Sequence, residues 1–552
     1  MSDSRAENLM SVAGQAFQNF MPFRQLGQTI ADSCYPMRAD FTRSLEYENY
    51  AGMLMDGTPV HARENLGNAI DAMLRQGSWF NVGTGDQERD EKPGNAVALN
   101  RATSKLRSIL KDRRSNWMNA TKTADMDWVA FGNPVLSVEE SSTRDFILFR
   151  AWHPRDCAWI LDEAGRIAMF FRKMRMQAID IMALHKNGAY GGEVSPAVRE
   201  AATKDPSRRF DLMHCLLRAD AIYGGDLQKM KELQHPFLSC YLDCENRTYL
   251  REMGTPVFNY VAPRMRTLGD LPFGFSPMAL NSLQDSRMLQ DMALVLLEQG
   301  QKAVDPPMVG AGNVFQRDIN LFAGGFTEVD LGEYDDIRKV MSTVDTGERI
   351  NVGLEMKADV RALIAESWLS NKLMLPTLRD MREVEVMVRT EEFRRAALPF
   401  FQPIETNYHG ELLGTTFEVA VNMGILRGKD FPKELAGRDT VFTFESPLNE
   451  AEGKKLVGEY YEMINILATG AQVDKSINNL ADIRKATEEA ISKGIRPEWL
   501  IPEEDRPAAD EQAAVESGLT QAASIAREAS GASADLANAS MAAQQAGLMP
   551  AA

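Results

Sequence analysis

Apolar residues recur at helical spacing through the first 125 or so positions, with turns around Gly57 and from Gly77 to Gly94. From Phe131 the period shortens. Val135-Leu136-Ser137-Val138, Phe146-Ile147-Leu148-Phe149 and Ile167-Ala168-Met169-Phe170-Phe171 are β-prone runs, and Gly132-Asn133-Pro134 and Asp162-Glu163-Ala164-Gly165 punctuate them as turns. The pattern predicts a β-rich insert after N-terminal helices. A long helix then starts where Ser276 can cap and Pro277 can take the first helical position, and it stops at Asp305-Pro306-Pro307. Its span is roughly 26 residues, or ~39 Å. Gln284, Arg287, Asp291, Glu298 and Lys302 share one narrow stripe of that helix, and Leu289, Met292 and Leu296 belong to the apolar remainder. A helix apolar around so much of its girth needs neighbours on both sides.

Residues 306–350 are Gly-rich and irregular. A second helix follows, with an apolar face of Met356, Val360, Leu363, Ile364 and Trp368 and an acidic stripe of Glu355, Asp359 and Glu366. Asn371-Lys372-Leu373-Met374-Leu375-Pro376 separates it from a third helix, which starts at Thr377 with Asp380 in a capping-box position and runs to Leu398. More helix to Gly424, a strand at Val441-Phe442-Thr443-Phe444 and helices from about Glu450 complete the reading. From Pro507 the composition shifts to Ala, Ser, Glu and Gln, which favours a weakly anchored helical tail. The fold class predicted is α+β, mostly helical.

Composition narrows the function classes. At 552 residues the chain exceeds one hydrophobic core, and 44% hydrophobic with 25% charged residues is ordinary globular usage. The longest apolar run, Met292 to Leu297, is far short of the ~20 residues a bilayer requires. The first residues lack the apolar core of a secretory signal, so a protein that stays in the cytoplasm where it is made is expected, with no membrane partner. A net charge of −17 opposes any surface that grips phosphates, though not one that lets nucleic acid slide past.

Catalytic patterns are missing: there is no phosphate-binding Gly-x-x-x-x-Gly-Lys-Ser/Thr loop, no Gly-x-Ser-x-Gly elbow and no His-Glu-x-x-His helix. Gly83-Thr84-Gly85 precedes Asp86, Glu88, Asp90 and Glu91, which would repel a phosphate, and reads as a surface turn. The basic run Arg101, Lys105, Arg107, Lys111, Arg113 and Arg114 reads as a solvated helix face. His214, Cys215, His235, Cys240 and Cys244 could supply zinc ligands, but their apolar neighbours favour packed thiols. No enzyme, no metal and no cofactor are expected.

Several patterns resemble the head-to-tail connecting (portal) proteins of short-tailed phages, over about residues 20 to 505. They are Phe131-Gly132-Asn133-Pro134-Val135-Leu136, Phe149-Arg150-Ala151-Trp152-His153-Pro154-Arg155-Asp156, Pro272-Phe273-Gly274-Phe275-Ser276-Pro277 with Lys302-Ala303-Val304-Asp305-Pro306-Pro307, and Phe444-Glu445-Ser446-Pro447-Leu448, in that order. The resemblance implies a dodecameric ring at one vertex of the virion, through which double-stranded DNA passes without sequence specificity. Residues 1–270 would form the wing, 271–305 and 351–370 the two stem helices, and 306–350 the clip. Residues 371–377 would be the channel loop, 378–449 the kinked channel and wing helices with a late wing strand, 450–506 the crown, and 507–552 a helical barrel or flexible tail. It further implies Asn371 to Pro376 at the channel loop, Glu355, Asp359 and Glu366 facing the channel, and Leu289, Met292 and Leu296 at the stem interface. The clip, around Gly324, Gly325 and Phe326, would dock the terminase large subunit and later the tail adaptor or tail tube protein. Major capsid and scaffolding proteins would be the remaining partners. Twelve copies would carry about −200 in formal charge, which discourages DNA from sticking. The competing readings are another virion protein, such as a tail adaptor or scaffold, and a helical enzyme with an unrecognised site.

Overall fold

The computed structural model describes residues 4–43, 54–90, 92–141, 144–192, 194–223, 234–304, 308–310, 341–343, 350–370, 399–426, 440–444, 460, 463–467 and 487. Helical spacing near the N-terminus gives α1 (Ser4–Asn19), α2 (Met21–Cys34) and α3 (Thr58–Leu74), then a short strand β1 (Phe80–Gly83), and then α4 (Gln87–Asp90), α5 (Pro93–Lys111) and α6 (Trp117–Phe131). The β-rich insert holds β2 (Val135–Glu140), β3 (Ile147–Trp152), β4 (Cys157–Leu161) and β5 (Ile167–Gln177). It continues through α7 (Ala178–Lys186), α8 (Pro196–Lys204), β6 (Arg209–Arg218), α9 (Ala219–Tyr223), β7 (Phe237–Asp243), β8 (Thr248–Thr255) and β9 (Tyr260–Val261). The long helix is α10 (Pro277–Val304), followed by β10 (Met308–Gly310), β11 (Met341–Thr343) and α11 (Ile350–Ser367). A π-helix (Ile404–His409), α12 (Gly410–Asn422) and β12 (Val441–Phe444) follow. The fold is α+β, as expected.

The chain divides into two units: Met1–Ala72 with Ala102–Asp430, and Met73–Arg101 with Phe431–Ala552. In the larger unit an antiparallel sheet runs β4-β5-β6-β7-β8, and a second sheet runs β3-β2-β9. Central β6 is buried at nearly every position from Leu212 onward. One part of its cover is a core of Ala178 and Ile181 from α7, Val198 and Ala201 from α8, and Phe210 and Leu212 from β6 itself. Gly192 donates to the Leu250 carbonyl at 2.8 Å, and a Cβ there would stand 2.1 Å from the Tyr249 carbonyl oxygen. Only glycine allows the loop between α7 and α8 to lie against β8.

Aromatic residues flanking α2 pack against the sheet, against α6 and against the segment that leads into α10. Phe20 lies edge-on to Trp159 at 4.6 Å and to Phe273 at 5.4 Å, and Phe41 meets Phe131 at 4.8 Å. Such contacts contribute about 0.5–1.5 kcal/mol each beyond the area they bury. The Trp159 indole donates to the Pro272 carbonyl at 2.6 Å, which satisfies its single polar group.

In the smaller unit β1 pairs antiparallel with β12, Phe80 opposite Phe444 and Gly83 opposite Val441. Trp79 stacks on Phe444 at 6.2 Å. β12 lies where the sequence predicts it. β1 does not: the Gly-punctuated stretch 77–94 reads as turns, yet Phe80-Asn81-Val82-Gly83 is a strand because a distant partner supplies its ladder. The Gly83-Thr84-Gly85 segment is a turn tied back by hydrogen bonds from the Thr84 amide (2.8 Å) and hydroxyl to Asp90.

Among the described residues no helix is long and apolar enough to cross a membrane. The third helix expected at 377–398 and the tail from Pro507 lie outside the described residues, as does most of 450–506.

Candidate functional site: a long helical pair and its anchor

α10 begins as the Ser276-Pro277 signal dictates, with the Ser276 hydroxyl accepting from the Ala279 amide at 3.4 Å and donating to the Val129 carbonyl. That second bond reaches α6. The turn ending α6 has Gly132 in the left-handed region (φ +74°), with its amide bonded to the Trp128 carbonyl at 2.9 Å. Asn133, fully buried, then clasps Gly274: its side-chain oxygen accepts from the Gly274 amide at 2.9 Å and its side-chain nitrogen donates to the Gly274 carbonyl. The Met265 amide closes the clasp on the Gly132 carbonyl at 3.0 Å. Two segments singled out in the sequence, 131–136 and 272–277, thus interlock and seat the start of the long helix.

Inward positions of α10 follow one stripe: Met278, Ala279, Ser282, Ser286, Leu289 and Ala293. Small side chains on that stripe let the helix lie close to α2 and α6. On α11 the buried stripe is Val360, Ile364 and Trp368, at i, i+4 and i+8. The two helices approach closely where Gly353 faces Leu296, since a Cβ at 353 would stand 2.6 Å from Leu296 Cδ2.

A buried carboxylate pins both helices to the segment before α3. Asp56, 5% exposed, accepts from the Thr58 hydroxyl at 2.6 Å and from Lys357 Nζ at 3.0 Å and Arg361 Nη2 at 2.7 Å, both on α11. From α10, the Gln290 side chain accepts from the Met55 and Asp56 amides at 2.7 and 2.9 Å and donates to the Asp56 carbonyl at 2.8 Å. Burial alone would raise the Asp56 pKa, but the hydrogen bonds from Thr58, Lys357 and Arg361 outweigh it and hold the carboxyl well below its usual range. No residue of this knot stands out in the sequence except through the Asp56-Gly57-Thr58-Pro59 capping pattern.

Glu355, Asp359 and Glu366 are all exposed on α11. With Lys357 and Arg361 engaged by Asp56, the free charge on this helix is acidic. Of the residues expected at the stem interface, Leu289 is fully buried inside a single chain and Met292 and Leu296 are half-buried. Leu289 therefore belongs to the intrachain core: a helical wheel shows which positions are apolar, not which neighbour covers them. The apolar side chains left uncovered are others, among them Leu294, Val295 and Leu297 on α10 and Val352, Leu354 and Met356 on α11. The loop residues Asn371 to Pro376 and the clip residues Gly324, Gly325 and Phe326 lie outside the described residues.

The zinc alternative meets a different arrangement. His214 is buried, with Nδ1 2.7 Å from the Tyr260 hydroxyl and Nε2 2.9 Å from the Ser239 hydroxyl, so both nitrogens are occupied. His235 is exposed, whereas Cys215 and Cys240 are buried opposite each other on β6 and β7. Burial pushes the Cys240 thiol up to about 12 and Cys244 to about 11, favouring the protonated form that does not bind metal. Of the basic run, Arg101, Lys111, Arg113 and Arg114 are exposed, and Lys105 donates to the Ile425 carbonyl at 3.3 Å.

No curated protein matches the chain. The family model described as bacteriophage head to tail connecting protein matches residues 6–497 of the 552. The chain belongs to that family, whose members are structural proteins of the phage virion joining head to tail.

Proposed function

We propose that the chain is a portal subunit, and that copies of it close into a dodecameric ring at one capsid vertex through which double-stranded DNA is packaged and ejected. The observation that carries this reading is the α10–α11 pair. It is anchored firmly at one end, its distal part leaves apolar side chains uncovered, and an exposed acidic stripe runs along α11. Burying a Leu or Val side chain stabilises by about 1.5–3 kcal/mol, so neighbouring copies packed stave to stave would gain from covering these faces. A heterologous contact repeated around a closed axis makes a ring with a lumen. Glu355, Asp359 and Glu366 turned into that lumen would repel phosphates and keep DNA sliding.

In this assignment residues 1–270 are the wing, 271–305 and 351–370 the stem, 306–350 the clip, 371–377 the channel loop, 378–449 the channel and wing helices, and 450–506 the crown. Residues 507–552 form a barrel or tail. Lys372, beside Leu373, Met374 and Leu375, would give the loop one belt of positive charge. The clip near Gly324, Gly325 and Phe326 would dock the terminase large subunit and then the tail adaptor. Capsid and scaffolding proteins would surround the rest. Electron microscopy of the purified protein tests the ring: particles with a central hole are expected, and monomers or small closed oligomers overturn it. Lys372→Glu then tests the loop, with intact rings and impaired packaging or DNA retention as the expected outcome.

A further inference from the structure

A cleft of about 650 Å³ opens beside the β5–β6 pair of the larger unit, within the roughly 300–1,000 Å³ typical of sites that take a ligand or a few side chains. Strand alternation sets its floor: Lys173 and Arg175 on β5 and Arg209 and Asp211 on β6 lie on one face, with Arg175 directly opposite Asp211. Arg43, Arg155, Asp40 and Asp156 add to the lining. Five cations and three carboxylates therefore meet there, on a chain whose net charge is −17.

The existing pairings decide what is left over. Arg155 pairs with Asp40 and with Asp156 at 3.2 Å, Arg175 with Asp211 at 3.0 Å, and Arg43 with Asp32 at 2.7 Å. Lys173 and Arg209, both exposed, have no carboxylate partner among the described residues. Lys173 instead holds its Nζ 4.2 Å from the centre of the Phe17 ring, which Arg24 shares at 4.9 Å. Burial first, and repulsion from Arg24 second, pull the Lys173 ammonium below its ordinary range, with Asp211 and Asp156 acting in the opposite sense.

We propose that this cleft is a docking site for an acidic polypeptide segment, whose carboxylates pair with Lys173 and Arg209. Nucleic acid fits less well. A duplex presents one charge per about 1.7 Å of axis, and such a row would fall on Asp40, Asp156 and Asp211 as well as on the cations. Side-chain carboxylates of a peptide can be spaced to meet the two free cations and avoid the three acids. The inference does not depend on ring formation.

The test uses the full-length protein and a fluorescein-labelled hexaglutamate peptide, read by anisotropy at low and high ionic strength. Saturable binding at low salt, weakened by salt and at least ~10-fold weaker in K173E/R209E, is expected. Lys204→Glu, at an exposed position on α8 outside the cleft, should bind as wild type does. The neutral pair K173Q/R209Q should weaken binding in the same direction by less. If it binds like wild type the proposal fails, even where charge reversal has unfolded the protein. Absence of wild-type binding also overturns it. So does an oligonucleotide that binds more tightly than hexaglutamate and is lost in the same variants, which would reassign the cleft to nucleic acid.

Discussion

A Cβ on Gly132 would stand 2.4 Å from the carbonyl carbon of Phe275, so the backbone that ends α6 and the backbone that begins α10 touch with no room for a side chain. The contact is set by a left-handed residue (φ +74°) at the end of one helix and by the cap of the next. Gly132→Ala combines a strained φ with this overlap and should lower stability by about 3 kcal/mol. Gly188→Ala, at φ +73° in open space, should cost only about 1 kcal/mol. Urea midpoints of the two variants measure the difference, and equal losses would remove the close approach as its cause.

The Asp56 knot makes a pH-dependent claim. Asp56→Asn should destabilise by roughly 2–4 kcal/mol, because Lys357 and Arg361 lose their partner. The folded carboxyl titrates below its unfolded value of about 3.9, so its contribution is complete above that pH and is lost as the pH falls further. The gap between wild type and Asp56→Asn should therefore be constant near neutrality and shrink below about pH 4. A gap that stays constant down to pH 3 would refute this.

His214 carries the same sign at a higher pH. Burial first, then Arg172 and Arg251, lower its pKa from the usual 6.5 to about 3. Between those values the unfolded chain binds a proton that the folded chain refuses. Stability should thus fall with acidification below about pH 6.5, by at most ~1.4 kcal/mol per pH unit from this group. His214→Gln should flatten the slope between pH 6 and 4 in denaturant titrations, and an unchanged slope would assign it to other groups.

Assembly separates the two kinds of apolar residue on the long pair. Leu297→Glu with Met356→Glu alters exposed positions, 52% and 55% accessible, and should leave a folded chain that does not form the proposed ring. Leu289→Glu buries a charge and should unfold the region instead. Light scattering with circular dichroism distinguishes these outcomes. Full-size particles from the exposed double variant would place the subunit contact elsewhere.

The ends of α10 are legible in the sequence because capping is local: Ser276, Pro277 and the Asp305-Pro306-Pro307 stop act within one turn of the helix. The acidic stripe at Glu355, Asp359 and Glu366 is legible for the same reason, since 3.6-residue periodicity fixes which side chains align. Partnerships are not. Asp56 meets Arg361 some 300 residues away, and nothing near Asp56 encodes that meeting beyond a capping pattern. Leu289 is apolar in any reading, but its cover comes from packing that a wheel does not contain. Phe80–Gly83 lacks the length and alternation of a strand until β12 is brought beside it.

That last pairing sets an order of events during synthesis. β1 leaves the ribosome about 360 residues before β12, a wait of ~20–70 s at ordinary translation rates. Through that interval the Phe80 edge has no ladder partner, and the smaller unit cannot close. The nascent chain is thus held unfinished until β12 has been made, which delays any contact that needs this unit until the long helical pair has been synthesised.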